Sequence, residues 1–529
     1  MKFSAVKAKL PSLSNSLLAI FSAILLTLAF PDFELWFLAY IALIPLFCAI
    51  EREKDSFAKS FITGWIFGIT FFTATCWWLT FAPITYGGVP APLAYILLLG
   101  ATSVVGLFSA LFAGLLSLIL KRFGNWGIFL SPFLLTAIEF LRFWITGNNW
   151  NAIAYSQAFN PILLSFASIG GIYLTGFFVL IYNTLITNEL IHYIKGVKNN
   201  LLRTFLFVGL MFLPVNLFIF TNVITFQDKP KTTNIIAIQP NVPMSGLKYE
   251  EWKRLRERHV QLAEKELQKL SPTTDHQSPI TIVIFPESPM NFGFTEDREF
   301  QEYLRNFTNK NNVEVLFNAA EPSENKNYYN SAVLVNEQGR KIAQYDKIHL
   351  VPFGEYVPLP EPLASFIPSM VGNFEIGKEY DIVPLGDVKA GIMICFESHF
   401  PTLSRRYALD GADVIVEMTN DGYLGPTPII RQHLANAIFR AVETNRPILR
   451  VTNVGITGYI NERGQILDAT KPYTEDSRVW SVSKSDGSQT FYVKYGDWFA
   501  WLCSLVSLAV LLVGFWKGKS YRETQETQR

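Results

Sequence analysis

Long apolar runs dominate the first ~220 residues of this chain of 529 residues. Each run is close to the ~20 residues that an α-helix needs to cross a bilayer. A buried helix of a soluble protein explains one such run but not seven in succession, because each helix would need its own surrounding core. The sequence therefore predicts a polytopic α-helical membrane domain of about eight spans, near residues 14–30, 34–50, 60–81, 91–120, 126–145, 162–188, 203–223 and 497–516.

Basic residues in alternate loops predict the orientation of these spans. Cytoplasmic loops carry an excess of Lys and Arg, whereas the loops around Asp32 and from Ala82 to Pro92 contain neither. Both termini are therefore expected in the cytoplasm, with residues 224–496 on the outer face. The basic residues that define the cytoplasmic side are Lys2, Lys7, Lys9, Arg52, Lys54, Lys59, Lys121, Arg122, Lys195, Lys198, Arg203, Lys517, Lys519, Arg522 and Arg529.

The first apolar run has a second interpretation, a cleaved signal peptide. No small-x-small cleavage site precedes Pro31, and further spans follow at once, which favours a retained helix. Only 17% of the chain is charged, and 45 basic against 44 acidic residues leave a net charge of +1. A chain without a basic field is not expected to bind nucleic acid.

An ionisable pair lies at the outer end of the fifth predicted span. Glu139 and Arg142 are three residues apart and therefore share one face of a helix. A structural ion pair at the membrane interface is the favoured interpretation. Contact with lipid headgroups is the alternative, because ionisable groups at membrane depth are costly and often functional.

Residues 224–496 follow a different pattern, with apolar runs of 4–8 residues between Pro, Asn, Asp and Gly, as is typical of strands. Helical patterns lie between these runs, and such alternation predicts a layered α/β domain. The predicted strands are Asn234–Gln239, Thr281–Phe285, Val313–Asn318, Ala332–Asn336, Lys389–Cys395, Asp413–Met418 and Ile448–Thr452. The predicted helices are Tyr249–Leu270, Asp297–Asn311, Pro401–Leu409 and Ile429–Asn445. The predicted division is a membrane domain at 1–223, the α/β domain at 224–496, a last span at 497–516 and a tail at 517–529.

Three chemically distinctive residues lie at or just beyond predicted strand ends, where open α/β sheets place ligands. They are Glu287, Lys347 and Cys395. Taken singly, each has an ordinary explanation: a solvated loop carboxylate, a surface charge and an inert core thiol. Together they supply the parts of an acyl-transfer site, namely a nucleophile, a base for its proton and a fixed positive charge for the oxyanion. The backbone N–H after the cysteine is a candidate second oxyanion donor.

The other cysteines, Cys48, Cys76 and Cys503, lie in predicted spans and are expected to pack as small hydrophobic side chains. His349 and His399 lack ligand partners at a suitable spacing, and no G-x-x-x-x-G-K pattern occurs. We therefore expect neither a metal nor a cofactor.

The sequences around these residues resemble the nitrilase, or carbon–nitrogen hydrolase, superfamily. With the flanking spans, the chain resembles its membrane branch, the bacterial apolipoprotein N-acyltransferase family. The matching segments are Gln239–Pro243, Phe285–Ser288, Tyr345–Pro358, Ile394–Glu397, Thr419–Gly425 and Arg446–Gly458 in the α/β domain, and Glu139–Arg142 and Gly147–Gln157 in the membrane half. The chain departs from the family pattern at Asn148, Asn149, Tyr249, Phe396, Tyr423 and Leu424.

The resemblance implies a nitrilase-like four-layer αββα sandwich whose catalytic residues are Glu287, Lys347 and Cys395. Acyl transfer would run from a phospholipid, typically the sn-1 chain of phosphatidylethanolamine, through a Cys395 thioester to the α-amine of an apolipoprotein's diacylglyceryl-cysteine. The location implied is the bacterial inner membrane with a periplasmic catalytic domain, and we expect a monomer. The resemblance also assigns supporting roles to Glu355, Glu397 and Phe396, and substrate contacts to Tyr249, Tyr423, Pro358, Gly147 and Trp150.

Three other functions are open to a chain of this kind. A membrane-anchored amidase or nitrilase that hydrolyses a small C–N substrate would share the same three residues. A transporter would carry ionisable residues in the middle of its spans, and this sequence has few. An inactive relative acting as an assembly factor would not need the intact Glu, Lys and Cys set.

Overall fold

The computed structural model describes residues 10–196, 232–245, 248–270, 280–290, 292–325, 327–357 and 374–526. These residues form two compact units. The helical unit contains the described residues up to Ile84, those from Gly88 to residue 196, and those from Asp497 onward. The sheet unit contains Thr85–Gly87 and the described residues from 232 to Gly496. The predicted span at 203–223 lies outside the described residues.

Apolar α-helices build the helical unit. They are α1 (Leu13–Ala29), α2 (Ile44–Arg52), α3 (Phe57–Cys76), α4 (Phe81–Thr85), α5 (Ala91–Phe123), α6 (Ser131–Thr146), α7 (Pro161–Leu164) and α8 (Ala167–Ile194). The C-terminal helix Trp498–Glu526 also belongs to this unit and is numbered α14, because the helices of the sheet unit precede it. Short 3₁₀ turns at Trp36–Tyr40, Trp77–Thr80, Gly124–Leu130 and Ile153–Gln157 lie between the helices.

Three helical stretches of the described chain are long and apolar enough to cross a membrane: Phe57–Thr85, Ala91–Thr146 and Ala167–Ile194. Leu13–Ala29 and Trp498–Gly514 are shorter apolar helices. The run at 34–50 is not one continuous helix, because the 3₁₀ turn Trp36–Tyr40 precedes α2. Pro45 lies in the first turn of α2, where its missing N–H leaves no hydrogen bond unmade.

Helices α3 and α5 approach each other closely through small residues. A Cβ at Gly64 would lie 2.4 Å from the Ser109 carbonyl oxygen, and a Cβ at Gly68 would lie 2.7 Å from the Cα of Gly106. In lipid, where burial of apolar surface drives little association, such close packing is a main source of helix–helix affinity. These glycines therefore set the distance between the two helices.

Thirteen strands of the sheet unit form two sheets among the described residues. The first sheet has the order β13-β1-β2-β3-β4-β5 with β6 beside β4, and the second has the order β12-β11-β10-β9-β8-β7. The strands of the first sheet are β1 (Thr233–Gln239), β2 (Ile280–Ile284), β3 (Glu314–Pro322), β4 (Tyr328–Val335), β5 (Lys341–Asp346), β6 (Phe374–Glu375) and β13 (Asp476–Val482). Those of the second are β7 (Ile382–Leu385), β8 (Val388–Ile394), β9 (Val414–Thr419), β10 (Ile448–Thr452), β11 (Gly458–Ile460) and β12 (Ile466–Leu467).

Parallel strands form the centre of each sheet. Strands β1, β2 and β3 are parallel to one another, as are β8, β9 and β10. Parallel neighbours present their carboxyl ends at the same edge of a sheet, and the loops at that edge are where α/β proteins place their chemistry. Strand β13 pairs antiparallel with β1, which joins the last strand of the unit to the first.

Helices cover both sheets. They are α9 (Tyr249–Leu267), α10 (Arg298–Asn311), α11 (Pro401–Leu409), α12 (Ile429–Thr444) and α13 (Phe491–Tyr495). Leu255, Phe300 and Leu304 from α9 and α10 share an apolar core with Ile236 and Val283 of the first sheet. Against the second sheet, the Tyr407 hydroxyl of α11 donates to the Ile392 carbonyl of β8 at 2.7 Å. The sequence therefore predicted the central strands and the helices between them correctly.

Replacing Gly64 with Ala should destabilise the helical unit, because the added methyl group meets the Ser109 backbone and Ala113 of α5. Overpacking of this kind costs about 1–3 kcal/mol. Thermal unfolding in detergent micelles, followed by circular dichroism, measures the effect as a lower midpoint. The matched control is Gly100→Ala on α5, which has nothing within 4 Å of the added Cβ. Equal midpoints for the two variants would contradict the proposed close approach.

Candidate active site

Glu287, Lys347 and Cys395 lie in three loops that follow strands of the sheet unit. Glu287 follows β2, Lys347 directly follows β5, and Cys395 directly follows β8. All three side chains line one cavity of about 190 Å³. The structure therefore brings together three residues that are separated by up to about a hundred positions in the sequence.

Lys347 is the most buried member of this group, with a side chain that is only 1% exposed. Its Nζ lies 2.8 Å from Glu355 Oε1 and 3.8 Å from Glu287 Oε1. Burial acts to lower the pKa of Lys347, but the two carboxylates outweigh it and raise the pKa above its ordinary value. The ammonium group thus stays charged inside the cavity.

Asn330, which the sequence analysis did not identify, connects the two carboxylates. Its Nδ2 donates to Glu287 Oε1 at 3.1 Å and to Glu355 Oε1 at 2.6 Å. The Asn318 side chain donates to Asn330 Oδ1 at 2.7 Å, and the Val351 N–H donates to Glu355 Oε2 at 2.7 Å. In the sequence, Asn330 is one of two adjacent polar residues of strand β4, with Ser331, and nothing in that pattern marks it as a site residue.

Cys395 is the first residue of a 3₁₀ turn, Cys395–His399, and has a positive φ of 53°. The residue as a whole is half-buried and forms no disulfide. Burial and then the Glu287 carboxylate raise the pKa of Cys395 above its ordinary value, while Lys347 and a hydrogen bond with Thr419 act to lower it. The resting site therefore keeps the proton on sulfur.

Glu287 lies next to the thiol, and its carboxylate is hydrogen-bonded to Cys395. Burial, with the nearby Glu355 charge, raises the pKa of Glu287, whereas Lys347 and the hydrogen bonds from Asn330 and Cys395 act to lower it. A carboxylate with a raised pKa beside a thiol is suited to accept the thiol proton.

Glu397 is fully buried and accepts hydrogen bonds from two separate segments of the chain, one before and one after β7. Its Oε1 accepts hydrogen bonds from the Ile348 N–H at 2.8 Å, the His349 N–H at 3.0 Å and the Tyr345 hydroxyl at 2.8 Å. Its Oε2 accepts from the Ile394 N–H at 2.8 Å. Burial raises the pKa of Glu397 to about 7. Glu397 therefore joins the Lys347 loop to the Cys395 turn through backbone contacts, whereas Glu355 contacts the ammonium group itself.

The remaining predicted residues lie in different surroundings. Tyr423 is exposed and lines the cavity, while Phe396 stacks on the His399 ring with centroids 5.4 Å apart. Gly147 ends α6 with φ 65°, and Trp150 packs edge-to-face on Trp78; both belong to the helical unit. Glu139 and Arg142 also lie in α6, and Arg142 Nη2 donates to Asn149 Oδ1 at 2.8 Å.

Two predicted substrate residues are described incompletely. Tyr249 begins α9, but its side chain is outside the described part of the structure, and Pro358 lies outside the described residues altogether. Within the part of the chain that the structure describes, no group of three or more His, Cys, Asp and Glu side chains could hold a metal ion.

The sheet unit has the fold of a carbon–nitrogen hydrolase, since the family model described as carbon–nitrogen hydrolase matches residues 245–486. A second model, described as the apolipoprotein N-acyltransferase N-terminal domain, matches residues 22–185. The chain belongs to the apolipoprotein N-acyltransferase family. This assignment also follows from a curated relative of Geobacter metallireducens, named apolipoprotein N-acyltransferase, which is 30% identical over 94% of this chain and 95% of its own length.

Other known proteins are also similar to this chain. A Thermotoga maritima protein named apolipoprotein N-acyltransferase is 27% identical over 95% of this chain and 94% of its own length. A solved structure of Saccharomyces cerevisiae Nit3, a member of branch 10 of the nitrilase superfamily, has 16% sequence identity and a TM-score of 0.37. It covers 49% of this chain and 93% of that chain.

Replacing Glu397 with Gln should destabilise the sheet unit. The NH₂ group of the new amide would face at least one of the backbone N–H groups whose hydrogen bonds Glu397 now accepts. Each buried donor left without an acceptor costs about 1–3 kcal/mol. The measurement is the thermal midpoint of unfolding in detergent micelles. The control is Glu379→Gln, because Glu379 is exposed. An unchanged midpoint for Glu397→Gln would show that these contacts contribute nothing to stability.

Proposed function

We propose that this chain transfers an acyl group from a membrane phospholipid to the α-amine of an apolipoprotein's N-terminal diacylglyceryl-cysteine. The donor position we infer is sn-1 of phosphatidylethanolamine. The observation that carries the proposal is the single cavity in which Cys395 lies beside Glu287, with Lys347 Nζ 3.8 Å from Glu287. The chain's family and the three long apolar helical stretches among the described residues support a lipid donor.

In the first step, Glu287 accepts the Cys395 proton and the thiolate attacks the ester carbonyl carbon of the phospholipid. The negative charge that develops on the carbonyl oxygen is stabilised by the Lys347 ammonium group and by the Phe396 backbone N–H. When the C–O bond of the ester breaks, Glu287 returns the proton to the leaving oxygen. A lysophospholipid leaves, and the acyl group remains on sulfur as a thioester.

In the second step, the α-amine of the acceptor attacks the thioester carbonyl. Glu287 accepts a proton from the amine and passes it to sulfur as the C–S bond breaks, which regenerates the Cys395 thiol and the Glu287 carboxylate. The product is an N-acylated, triacylated lipoprotein. Glu355 supports both steps by holding Lys347 Nζ at 2.8 Å. We further propose that Phe396, Glu397, Tyr249, Tyr423, Pro358, Gly147 and Trp150 support the site or contact the two substrates.

We also propose the finer organisation of the molecule. The chain would cross the bacterial inner membrane about eight times and act as a monomer, with both termini in the cytoplasm. The domain at 224–496 would be a four-layer αββα sandwich on the periplasmic face, between a membrane domain at 1–223 and a last span at 497–516. Family membership and the alternating basic loops support this arrangement.

A membrane-anchored amidase that hydrolyses a small C–N substrate is the second candidate function. The cavity volume of about 190 Å³ favours it, because pockets for drug-sized ligands usually span about 300–1,000 Å³. Both functions form a thioester on Cys395, but they differ in the molecule that donates the acyl group. Only the transferase releases a lysophospholipid while it gains the mass of a fatty acyl chain.

Incubation of the full chain with phosphatidylethanolamine should add one acyl mass to the protein, detected by intact-protein mass spectrometry, and release a lysophospholipid. Cys395→Ala should abolish both products, because no sulfur remains to form the thioester. Cys503→Ala, which removes a buried cysteine of the helical unit, is the matched control and should retain them. Full acyl transfer by Cys395→Ala would rule out Cys395 as the nucleophile. A parallel incubation with a short-chain primary amide tests the amidase, which ammonia release there without acyl transfer from phospholipid would favour.

The rate of acyl-enzyme formation should fall as pH decreases, because Glu287 accepts a proton only when it is ionised. Since the pKa of Glu287 is raised above 4.5, the midpoint of this decrease should lie above pH 4.5. Asn330→Ala removes a hydrogen bond that lowers this pKa, so it should move the midpoint to higher pH. Single-turnover acylation at different pH values measures the midpoint.

The control for this pH profile is Asn325→Ala, because Asn325 is exposed and its side chain donates to Glu375, which does not line the cavity. That variant should keep the profile of the unmodified chain. A midpoint that is the same with and without Asn330 would contradict the assignment of Glu287 as the group whose ionisation limits acylation.

A further inference from the structure

A buried charged cluster lies behind the Cys395 turn. It consists of Glu417 on β9, Asp421 in the turn after β9, His433 on α12 and Arg450 on β10. Their side chains are between 0% and 5% exposed. Arg450 pairs with Glu417 at 2.5 Å and with Asp421 at 2.8 Å. The mechanism proposed above uses none of these residues.

His433 connects this cluster to the nucleophile. Its Nδ1 lies 2.7 Å from Asp421 Oδ1, and its Nε2 lies 3.0 Å from the Cys395 carbonyl oxygen and 3.3 Å from Glu417 Oε1. A carbonyl oxygen and an ionised carboxylate can only accept hydrogen bonds. Both ring nitrogens therefore donate, which requires the doubly protonated imidazolium.

The charges of the cluster agree with this protonation state. Two carboxylates and one guanidinium would leave a buried net charge of −1, whereas an imidazolium makes the cluster neutral. An uncompensated buried charge is costly, and a paired one is much less so. Burial acts to raise the pKa of Asp421, but Arg450 and His433 outweigh it and lower that pKa, which keeps this partner ionised.

The carbonyl that His433 binds belongs to the Cys395–Phe396 peptide. A trans peptide is planar, and its C=O and N–H point in opposite directions. Fixing the Cys395 carbonyl therefore also fixes the direction of the Phe396 N–H. Cys395 has a φ of 53°, so this peptide follows a backbone conformation that L-residues seldom adopt and that needs support from its surroundings.

We propose that His433 is a positioning residue, which as an imidazolium holds the Cys395 carbonyl so that the Phe396 N–H faces the oxyanion. This inference deepens the proposed function and rests on its thioester chemistry. It predicts that His433 affects reactions that develop an oxyanion and leaves intrinsic thiol reactivity nearly unchanged. Asp421 orients the ring through Nδ1, away from the Cys395 carbonyl, whereas Glu417 lies beside Nε2, and both carboxylates favour the charged imidazolium.

Two reactions of the full chain in detergent micelles separate these effects. Acylation by p-nitrophenyl hexanoate passes through an oxyanion, whereas alkylation by iodoacetamide displaces iodide and develops none. His433→Leu should slow acylation about 10²–10³-fold, the usual loss for one oxyanion donor, while its alkylation rate stays near that of the unmodified chain. His433→Gln, whose amide can still donate to the carbonyl, should recover part of the loss.

His259→Gln is the matched control. His259 is also buried in the sheet unit, but its Nδ1 hydrogen-bonds to the Leu255 carbonyl of its own helix at 2.7 Å and its ring packs on Phe285 and Phe292. This variant should acylate at the rate of the unmodified chain per folded molecule. Unchanged acylation in His433→Leu would overturn the proposal. Equal losses of acylation and alkylation would also overturn it, since His433 would then act on the thiol or on the fold.

The protonation state of His433 can be tested by NMR, which does not require an active variant. The chain contains six histidines, and ¹⁵N-histidine spectra, assigned with His433→Gln, should show both ring nitrogens of His433 protonated at pH 7.5. A neutral ring would overturn the proposal. If the unmodified chain takes no acyl group from phospholipid, the proposed function fails, whereas the ester, alkylation and NMR comparisons still decide the role of His433.

Discussion

A buried ammonium group between two carboxylates is the interaction on which the candidate site depends. Lys347 lies almost out of contact with solvent, 2.8 Å from Glu355 and 3.8 Å from Glu287. A lysine in this environment would lose its proton without compensating charges. Because the two glutamates come from different loops, the attraction that keeps Lys347 charged also holds those loops together. Removing one partner of a buried ion pair typically lowers the free energy of unfolding by about 3–5 kcal/mol.

The two carboxylates around Lys347 have different surroundings, and this difference separates their proposed roles. Glu355 accepts from Lys347, Asn330 and the Val351 N–H, so both of its oxygens are engaged by fixed donors. Glu287 shares Lys347 and Asn330 with Glu355 but is the carboxylate that is hydrogen-bonded to the Cys395 thiol. Proton exchange with sulfur is thus suited to Glu287, and orientation of the ammonium group is suited to Glu355.

Sequence patterns predicted the parts of the site that depend on short segments. An apolar run that ends at a reactive residue is visible for Glu287 and Cys395. The two runs are β2 and β8 of different sheets, so strand patterns alone do not predict that these residues meet. Asn330 and His433 were missed because their importance depends on partners 43 and 38 residues away, Glu287 and Cys395. The short edge strands, such as β6 and β12 with two residues each, were missed because such segments carry no periodicity. The run at 34–50 was predicted as one helix because hydropathy does not register the 3₁₀ turn before Pro45.

The backbone of the candidate nucleophile illustrates why local pattern is insufficient. A glycine would adopt the φ of 53° at position 395 without strain, but it carries no sulfur. For cysteine, this backbone conformation costs about 1–3 kcal/mol. The surrounding hydrogen bonds offset that cost. Glu397 accepts from the Ile394 N–H immediately before the cysteine, and His433 donates to the carbonyl of the cysteine itself. Each such bond contributes about 0.5–1.5 kcal/mol, so two of them are enough to keep a strained, reactive residue in one conformation.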